Sequence, residues 1–354
     1  MTTVWKATCM QTICHPVNDA GNRDDAMAIV ARSLDRWEAR LRGAAARKAD
    51  IPQLFLFPEF NLQGFPLGED AATWIAKACL RIPGSPEIER LQKLADELKI
   101  YIGANAYEAP DEWPGRYFNC SFLIDPAGEI VLKYRRVSTA EGTSPHDLLH
   151  AYLDKHGLDG LWPVADTALG KIAMMPCGEI LWPETARCFA LRGAEVILHP
   201  TSDHGMSDHL AWESAKKVRA AENMVYFISA NAGGIDGGVL PQASNVGNSK
   251  IIDFQGRVIA ENLAPGESAR TAAPIDMDAL RRARTTAGNL YGVNRLARLR
   301  VEAYRPVYEA ASFYPPNLYA DTPMQSKKQV GATLRQVMDT QLYEGSLKAT
   351  AHKG

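Results

Sequence analysis

The sequence predicts an α/β fold built on one mixed sheet or on two sheets. Two observations lead there. Apolar runs of strand length recur along most of the chain, and stretches with helical periodicity stand between many of them, the alternation that produces layered α/β architectures. Elsewhere consecutive apolar runs are separated only by turn residues, which makes hairpins and argues against a purely parallel winding.

The elements follow in order. "VWKATCM" near the N-terminus and "QLFLF" read as strands, the second running directly into "PEFNLQGF". Residues 86–99, "PEIERLQKLADELK", carry apolar residues at 88, 91, 94 and 98 and form an amphipathic helix. "IYIGANAY", "NCSFLID" and "EIVLKYRRV" are strands, the last two joined by the turn "PAG". "HDLLH" (146–150) follows Ser144 and Pro145, which suggest a loop. A strand at 172–175 stops at Pro176-Cys177-Gly178. A helix then starts at Pro183 and Glu184 and is closed by Gly193. Next come the strand "AEVILHP", a helix over 208–223, the strand "VYFISAN" and a hairpin of "GNSKIIDF" and "RVIAE" around "QG". "APIDMDALRRARTT" is a strand leading into a helix, and residues 325–343 form a further helix. Around residue 300 the character changes. "YRPVYEAASFYPPNLY" is rich in tyrosine and proline and is not one regular element. Residues 1–300 are therefore read as one domain. Residues 301–354 are read as a C-terminal extension serving as an oligomerisation arm, the alternative being a tail folded onto its own subunit.

Composition narrows the function. The chain has 354 residues, 46% hydrophobic and 23% charged, with ample length for a large core. A net charge of −2 gives neither a nucleic-acid footprint nor a polybasic membrane contact. The N-terminus lacks the pattern of a signal peptide and no apolar run reaches the length of a membrane span, so a cytoplasmic protein is expected. Six cysteines (9, 14, 79, 120, 177 and 188) lack CxxC spacing and are expected to be free thiols. On a helix His146 and His150, four apart, could share a face with His156 nearby, but no Glu occupies the second position and the loop signal beside them favours solvated histidines over a metal site.

Three strand ends carry residues suited to chemistry, where open α/β sheets place their sites. Glu59 directly follows "LFLF", a position that packing explains poorly; its alternative role is a solvated loop carboxylate. Lys133, Arg135 and Arg136 end a second strand. Cys177 ends a third, between a strand and a helix start; by itself it could be a buried structural thiol.

These residues and their surroundings resemble the nitrilase, or carbon–nitrogen hydrolase, superfamily. "FPEFNLQGF" matches the family's glutamate motif and "CGEILWPETAR" its cysteine motif. "GAEVILHPTS", "WESAKKVRAAENMVYFISANAGG", "GNSKIIDFQGRVIAE" and "IDMDALRRAR" match further segments in order, covering roughly residues 3–300. The resemblance implies a four-layer αββα sandwich, a homodimer or larger homo-oligomer, and a Glu–Lys–Cys triad with Glu59 as general base and Cys177 as nucleophile. The lysine departs from the pattern. The family motif is Lys-x-Arg-Lys with the second lysine catalytic, whereas this chain has Lys133-Tyr134-Arg135-Arg136, so Arg136 occupies the catalytic position. Strand alternation puts Lys133 on the opposite face from Arg136. Arginine can still supply a fixed cation to an oxyanion, although its planar, always-charged guanidinium is no conservative replacement.

The substrate-contact candidates are Glu141, Gly178 and Trp182. Glu141 stands where family members often carry a second glutamate. Nitrilases proper usually have Cys-Trp-Glu; here Cys177-Gly178-Glu179 precedes Trp182-Pro183-Glu184, a pattern closer to the amidase and carbamoylase branches. Gly178 removes a side chain beside the nucleophile, and Glu179 could be an ion-pairing residue. The resemblance thus implies hydrolysis of a small-molecule amide or N-carbamoyl substrate through a thioester, without a metal or organic cofactor. The alternatives are a nitrile substrate or a catalytically altered relative.

Overall fold

The computed structural model describes residues 3–46, 51–139, 141–203, 209–241, 244–286, 295–311 and 313–343. Its strands are β1 (Val4–Gln11), β2 (Ile13–Cys14), β3 (Gln53–Leu56), β4 (Tyr101–Glu108), β5 (Phe118–Ile124), β6 (Ile130–Arg135), β7 (Ala165–Thr167), β8 (Gly170–Met174), β9 (Val196–Thr201), β10 (Tyr226–Asn231), β11 (Gly234–Ile235), β12 (Ser249–Ile252), β13 (Val258–Asn262) and β14 (Ser268–Asp276). Its helices are α1 (Arg23–Ala45), α2 (Ala71–Lys77), α3 (Pro86–Leu98), α4 (Leu149–Leu161), α5 (Pro183–Leu191), α6 (His209–Asn223), α7 (Met277–Thr285), α8 (Val301–Ala310) and α9 (Lys327–Val337).

Two six-stranded sheets share one pattern. The first runs β14-β1-β3-β4-β5-β6 and the second β13-β12-β10-β9-β8-β7. In each, three adjacent strands are parallel (β1-β3-β4 and β8-β9-β10), and antiparallel strands complete both sides. Side-chain alternation explains the layering. Trp5, Ala7 and Cys9 of β1 and Leu54 and Leu56 of β3 join a core with Ile172, Met174, Ile197 and Leu198 of the second sheet. Met10, Phe55, Ile102 and Ala104 point the other way, into a second core with Leu34 and Trp37 of α1 and Leu91 and Leu94 of α3. Phe189 of α5, Ala220 of α6 and Leu280 of α7 pack with the second sheet. The order is helices, sheet, sheet, helices: the four-layer αββα sandwich. The sheets approach closely at Gly103, where an added Cβ would lie 2.8 Å from a methyl of Leu56 and 3.4 Å from one of Leu198.

Two readings need adjustment. Ser144-Pro145 starts a helix, not a loop. Ser144 Oγ accepts from the His146 N–H at 3.0 Å and Asp147 accepts from the Ser144 N–H at 2.8 Å, a capping box with Pro145 at the first helical position. This short turn leads into α4, so His146 and His150 sit on helical backbone. Second, the helix expected over 325–343 spans 327–337 as α9 and continues as a π-helical turn. The Tyr- and Pro-rich stretch is not one regular element, as expected: Pro306 lies inside α8, which ends at Ala310 before an irregular stretch. The expected helix start at residue 208 and the tail from residue 344 lie outside the described residues.

The extension beyond α8 folds onto its own chain. The Asn317 N–H donates to the His146 carbonyl at 2.9 Å and the Tyr319 N–H to that of Asp147 at 3.0 Å. The Ala71 N–H donates to the Gln325 carbonyl at 2.9 Å, and Tyr319, Met324 and Val330 form a small core against Tyr314. Among the described residues no helix is long and apolar enough to cross a membrane.

Candidate active site

Glu59 follows β3, Cys177 follows β8 and Arg136 follows β6; the fold brings these strand ends to one edge of the sandwich. The antiparallel β5 contributes its first residues at the same edge, because the Arg136 N–H continues the ladder to the Asn119 carbonyl at 2.9 Å.

Glu59 is no solvated carboxylate: it is 1% exposed and surrounded by donors. Asn119 Nδ2 donates to its Oε1 at 2.8 Å and Arg136 Nη1 to the same oxygen at 3.1 Å. Ser202 Oγ donates to Oε2 at 2.8 Å and lies 3.8 Å from Cys177 Sγ, and the thiol also contacts the carboxylate directly. Asn105 holds this arrangement from behind, donating to Asn119 Oδ1 at 2.6 Å and accepting from the Phe60 N–H at 3.2 Å. Burial raises the Glu59 carboxyl above its usual range, opposed chiefly by the nearby Arg136 cation.

Cys177 opens a 3₁₀ turn, Cys177–Leu181, and has φ of 44°. For a non-glycine residue that conformation costs of order 1–3 kcal/mol and needs an external hold. His199 supplies one: its Nε2 lies 3.0 Å from the Cys177 carbonyl and its Nδ1 2.9 Å from Ser229 Oγ. A carbonyl only accepts, so Nε2 carries the proton and Nδ1 accepts from the serine. Burial, helped by Lys216, lowers His199 to about 4, so the ring is neutral. Burial and then the neighbouring Glu59 push the Cys177 thiol well up. The resting sulfur is therefore protonated and needs a base.

Arg136 is pinned at two points. Its Nε donates to the Ser138 carbonyl at 2.7 Å and its Nη1 to Glu59. Burial disfavours the cation, but Glu59 together with Cys177 and Glu179 outweighs it and the guanidinium stays charged. Nη2 is turned towards Gly178, where an added Cβ would lie only 2.9 Å from it. Arg136 thus takes the space that a side chain at position 178, next to Cys177, would fill. Lys133 faces away, as alternation requires, bonding Glu108 at 2.7 Å and the Ile82 carbonyl at 2.9 Å.

Glu179 is buried and braces the Arg136 loop. Its Oε1 accepts from the N–H groups of Val137 at 3.0 Å and Ser138 at 2.8 Å, and Tyr134 Oη reaches both carboxylate oxygens at 2.9 Å. It acts as a loop brace, not primarily as an ion-pair partner. Burial raises its carboxyl to about 7 although Arg136 pulls it down.

The other substrate-contact candidates lie further out. Trp182 is 46% exposed and shares the wall of a cavity with Arg136. Glu141 pairs with Lys327 through Oε1, while its Oε2 is buried with no hydrogen-bond partner among the described residues, as is Tyr107 Oη. Among the described residues no group of three or more His, Cys, Asp or Glu side chains is placed to hold a metal ion. Sequence reasoning missed Asn119, Ser202 and His199 as site residues. The signal for the last two was a polar run, "HPTSD", ending a strand otherwise made of Val, Ile and Leu.

The carbon-nitrogen hydrolase family model matches residues 18–285, and the chain belongs to that family, within the nitrilase superfamily. A formamidase of Bacillus cereus (strain B4264) is 30% identical over 187 residues, 52% of this chain and 52% of its own length. The chain thus spans about half the length of the curated relatives it matches. Two solved structures share the fold. Nit3 of Saccharomyces cerevisiae, a member of branch 10 of the nitrilase superfamily, aligns with a TM-score of 0.62 at 19% identity over 82% of this chain and 97% of its own. A mutant amidase of Nesterenkonia sp. AN1, with the acetamide moiety of fluoroacetamide added covalently at its active-site cysteine, aligns with a TM-score of 0.57 at 19% identity over 85% and 96%.

Proposed function

We propose that the chain hydrolyses an amide or N-carbamoyl substrate through a thioester on Cys177. The observation that carries this reading is a buried glutamate, Glu59, in direct contact with a protonated thiol, held by Ser202 and flanked by a pinned cation, Arg136. Glu59 takes the thiol proton, and sulfur attacks the amide carbon while the carbonyl electrons move onto oxygen. Arg136 and the N–H groups that a helix start leaves free, those of Cys177 and Gly178, stabilise that oxyanion. Collapse breaks the C–N bond as Glu59 returns the proton to nitrogen, releasing ammonia or amine. Glu59 then deprotonates water, which attacks the thioester. The C–S bond breaks, the thiol regains its proton and the acid departs. Glu141 Oε2, buried without a partner, is suited to accept an N–H of the substrate. The covalent cysteine of the Nesterenkonia amidase and the name of the Bacillus relative support an amide over a nitrile.

The test is release of ammonia or amine from a panel of amides, N-carbamoyl compounds and nitriles, with Cys177→Ala as control. Turnover of an amide or N-carbamoyl member, lost in Cys177→Ala, supports the reading; turnover of nitriles alone, or a fully active variant, overturns it. The same reading includes assembly of two or more copies, with Tyr304, Val307 and Tyr308 left exposed on α8; light scattering tests it.

A further inference from the structure

A cavity beside the site shares Arg136 with it, and its lining combines Arg136 and the loop that follows it with residues beyond the stretch that the family model matches. Its volume is about 850 Å³. Pockets of roughly 300–1,000 Å³ hold drug-sized ligands, so this space far exceeds what a one- or two-carbon amide fills. Its apolar lining is Leu149 and Trp182 with Phe313, Tyr314, Val330 and Leu334 of the C-terminal extension, beside the polar His146, Asp147 and Glu309.

The extension is fixed at this position. Backbone bonds tie residues 317 and 319 to the start of the α4 region, Arg116 Nη2 donates to the Tyr319 carbonyl at 2.9 Å, and Val330 and Tyr314 belong to the extension's own small core. Lys327 pairs with Glu141, linking α9 to the loop that carries the unpartnered carboxylate oxygen.

We infer that the C-terminal extension is the specificity wall of this enzyme, and that its substrate is an amide carrying an aromatic or branched aliphatic group, lodged between Trp182 and the Phe313–Tyr314 wall. The inference rests on the amide-hydrolase reading and narrows it. The apolar residues desolvate the large group while Arg136, in the same lining, faces the reacting carbonyl. A small amide leaves the apolar end filled with water and forgoes that binding, so it should be turned over less efficiently.

The experiment compares kcat/KM for acetamide with that for phenylacetamide, whose bulk is on the acyl side, and N-benzylacetamide, whose bulk is on the amine side. It uses the full chain and the variants Phe313→Ala and Leu334→Ala. One bulky amide should exceed acetamide by at least about tenfold, and which one does identifies the side that enters the cavity. Each variant should lower the bulky-to-acetamide ratio by about tenfold or more, because truncating the wall removes contacts that only the large group makes. Because the readout is a ratio within one preparation, partial misfolding cancels. Preference for acetamide over both bulky amides, or an unchanged ratio in both variants, overturns the inference while the amide-hydrolase reading stands. If N-carbamoyl compounds are turned over but no amide is, the inference alone is overturned; if neither class is hydrolysed, the reading fails and the inference falls with it.

Discussion

Gly178→Ala is the smallest change that should disable the site without touching any of its charged or nucleophilic groups. The new Cβ would lie 2.9 Å from Arg136 Nη2. Ordinary contacts sit near 3.5–4.0 Å, so the guanidinium must retreat by about 0.6–1 Å. It cannot swing freely, because Nε is bound to the Ser138 carbonyl and Nη1 to Glu59. A retreat of that size stretches the 3.1 Å bond to Glu59 past hydrogen-bonding range and moves the cation off the oxyanion. Misplacing a catalytic group by about 1 Å can cost on the order of a hundredfold, so kcat should fall by that factor while KM changes less. Arg136→Lys should itself lower activity, because the shorter side chain ends in one nitrogen where the guanidinium reaches Ser138 and Glu59 from two. Lacking the outer fork of nitrogens, however, it leaves room for the methyl group, and Gly178→Ala should cost less than about threefold in the Arg136→Lys background. The assay is ammonia release in all four members of the double-mutant cycle, with circular dichroism confirming the fold. Equal losses in both backgrounds, or full activity in Gly178→Ala, would refute the steric coupling.

Three further outcomes are expected. Burial raises Glu59 and a base must be ionised to act, so the acid limb of the kcat/KM profile should lie above the ordinary glutamate value of 4.5; a limb at or below it would contradict the assignment. Ser202→Ala removes a donor to ionised Glu59 and should move that limb to higher pH, whereas an unmoved limb with lost activity would give Ser202 another role. Glu179, raised by burial to about 7 from an ordinary 4.5, favours the folded state in its protonated form; that contribution is complete at low pH and is lost as pH rises through 7. Glu179→Gln keeps an acceptor for Val137 and Ser138 but does not titrate, so its stability in urea should improve relative to the parent by about 3 kcal/mol between pH 4 and 8, and parallel pH dependences would count against it.

The sequence was legible where a local rule applied. Glu59 stood out because a charge follows an apolar strand without a packing reason, and Cys177 because a strand stops at Pro176 before a helix start. The opposite facing of Lys133 and Arg136 came directly from strand alternation. What stayed hidden depended on distant neighbours. Ser202 bonds a residue 143 positions away and Asn119 one 60 positions away, and nothing local marks either contact. The match between Arg136 and Gly178 was visible only as two separate departures from the family pattern. Ser144-Pro145 was read as a loop because both residues favour turns, whereas the capping box that Asp147 completes makes them a helix start. The extension's tyrosines and prolines signalled an irregular segment but not the face it covers, since that depends on backbone bonds to residues far earlier in the chain.

The most direct test of the central claim is intact-protein and peptide mass spectrometry on enzyme quenched in acid during turnover of an amide. The parent, and more strongly a variant slowed in thioester hydrolysis, should carry one acyl group on the peptide containing Cys177. Hydroxylamine should release it as the hydroxamate, and Cys177→Ala should carry none. Sustained amide hydrolysis with Cys177 unmodified, or by Cys177→Ala, would contradict the account.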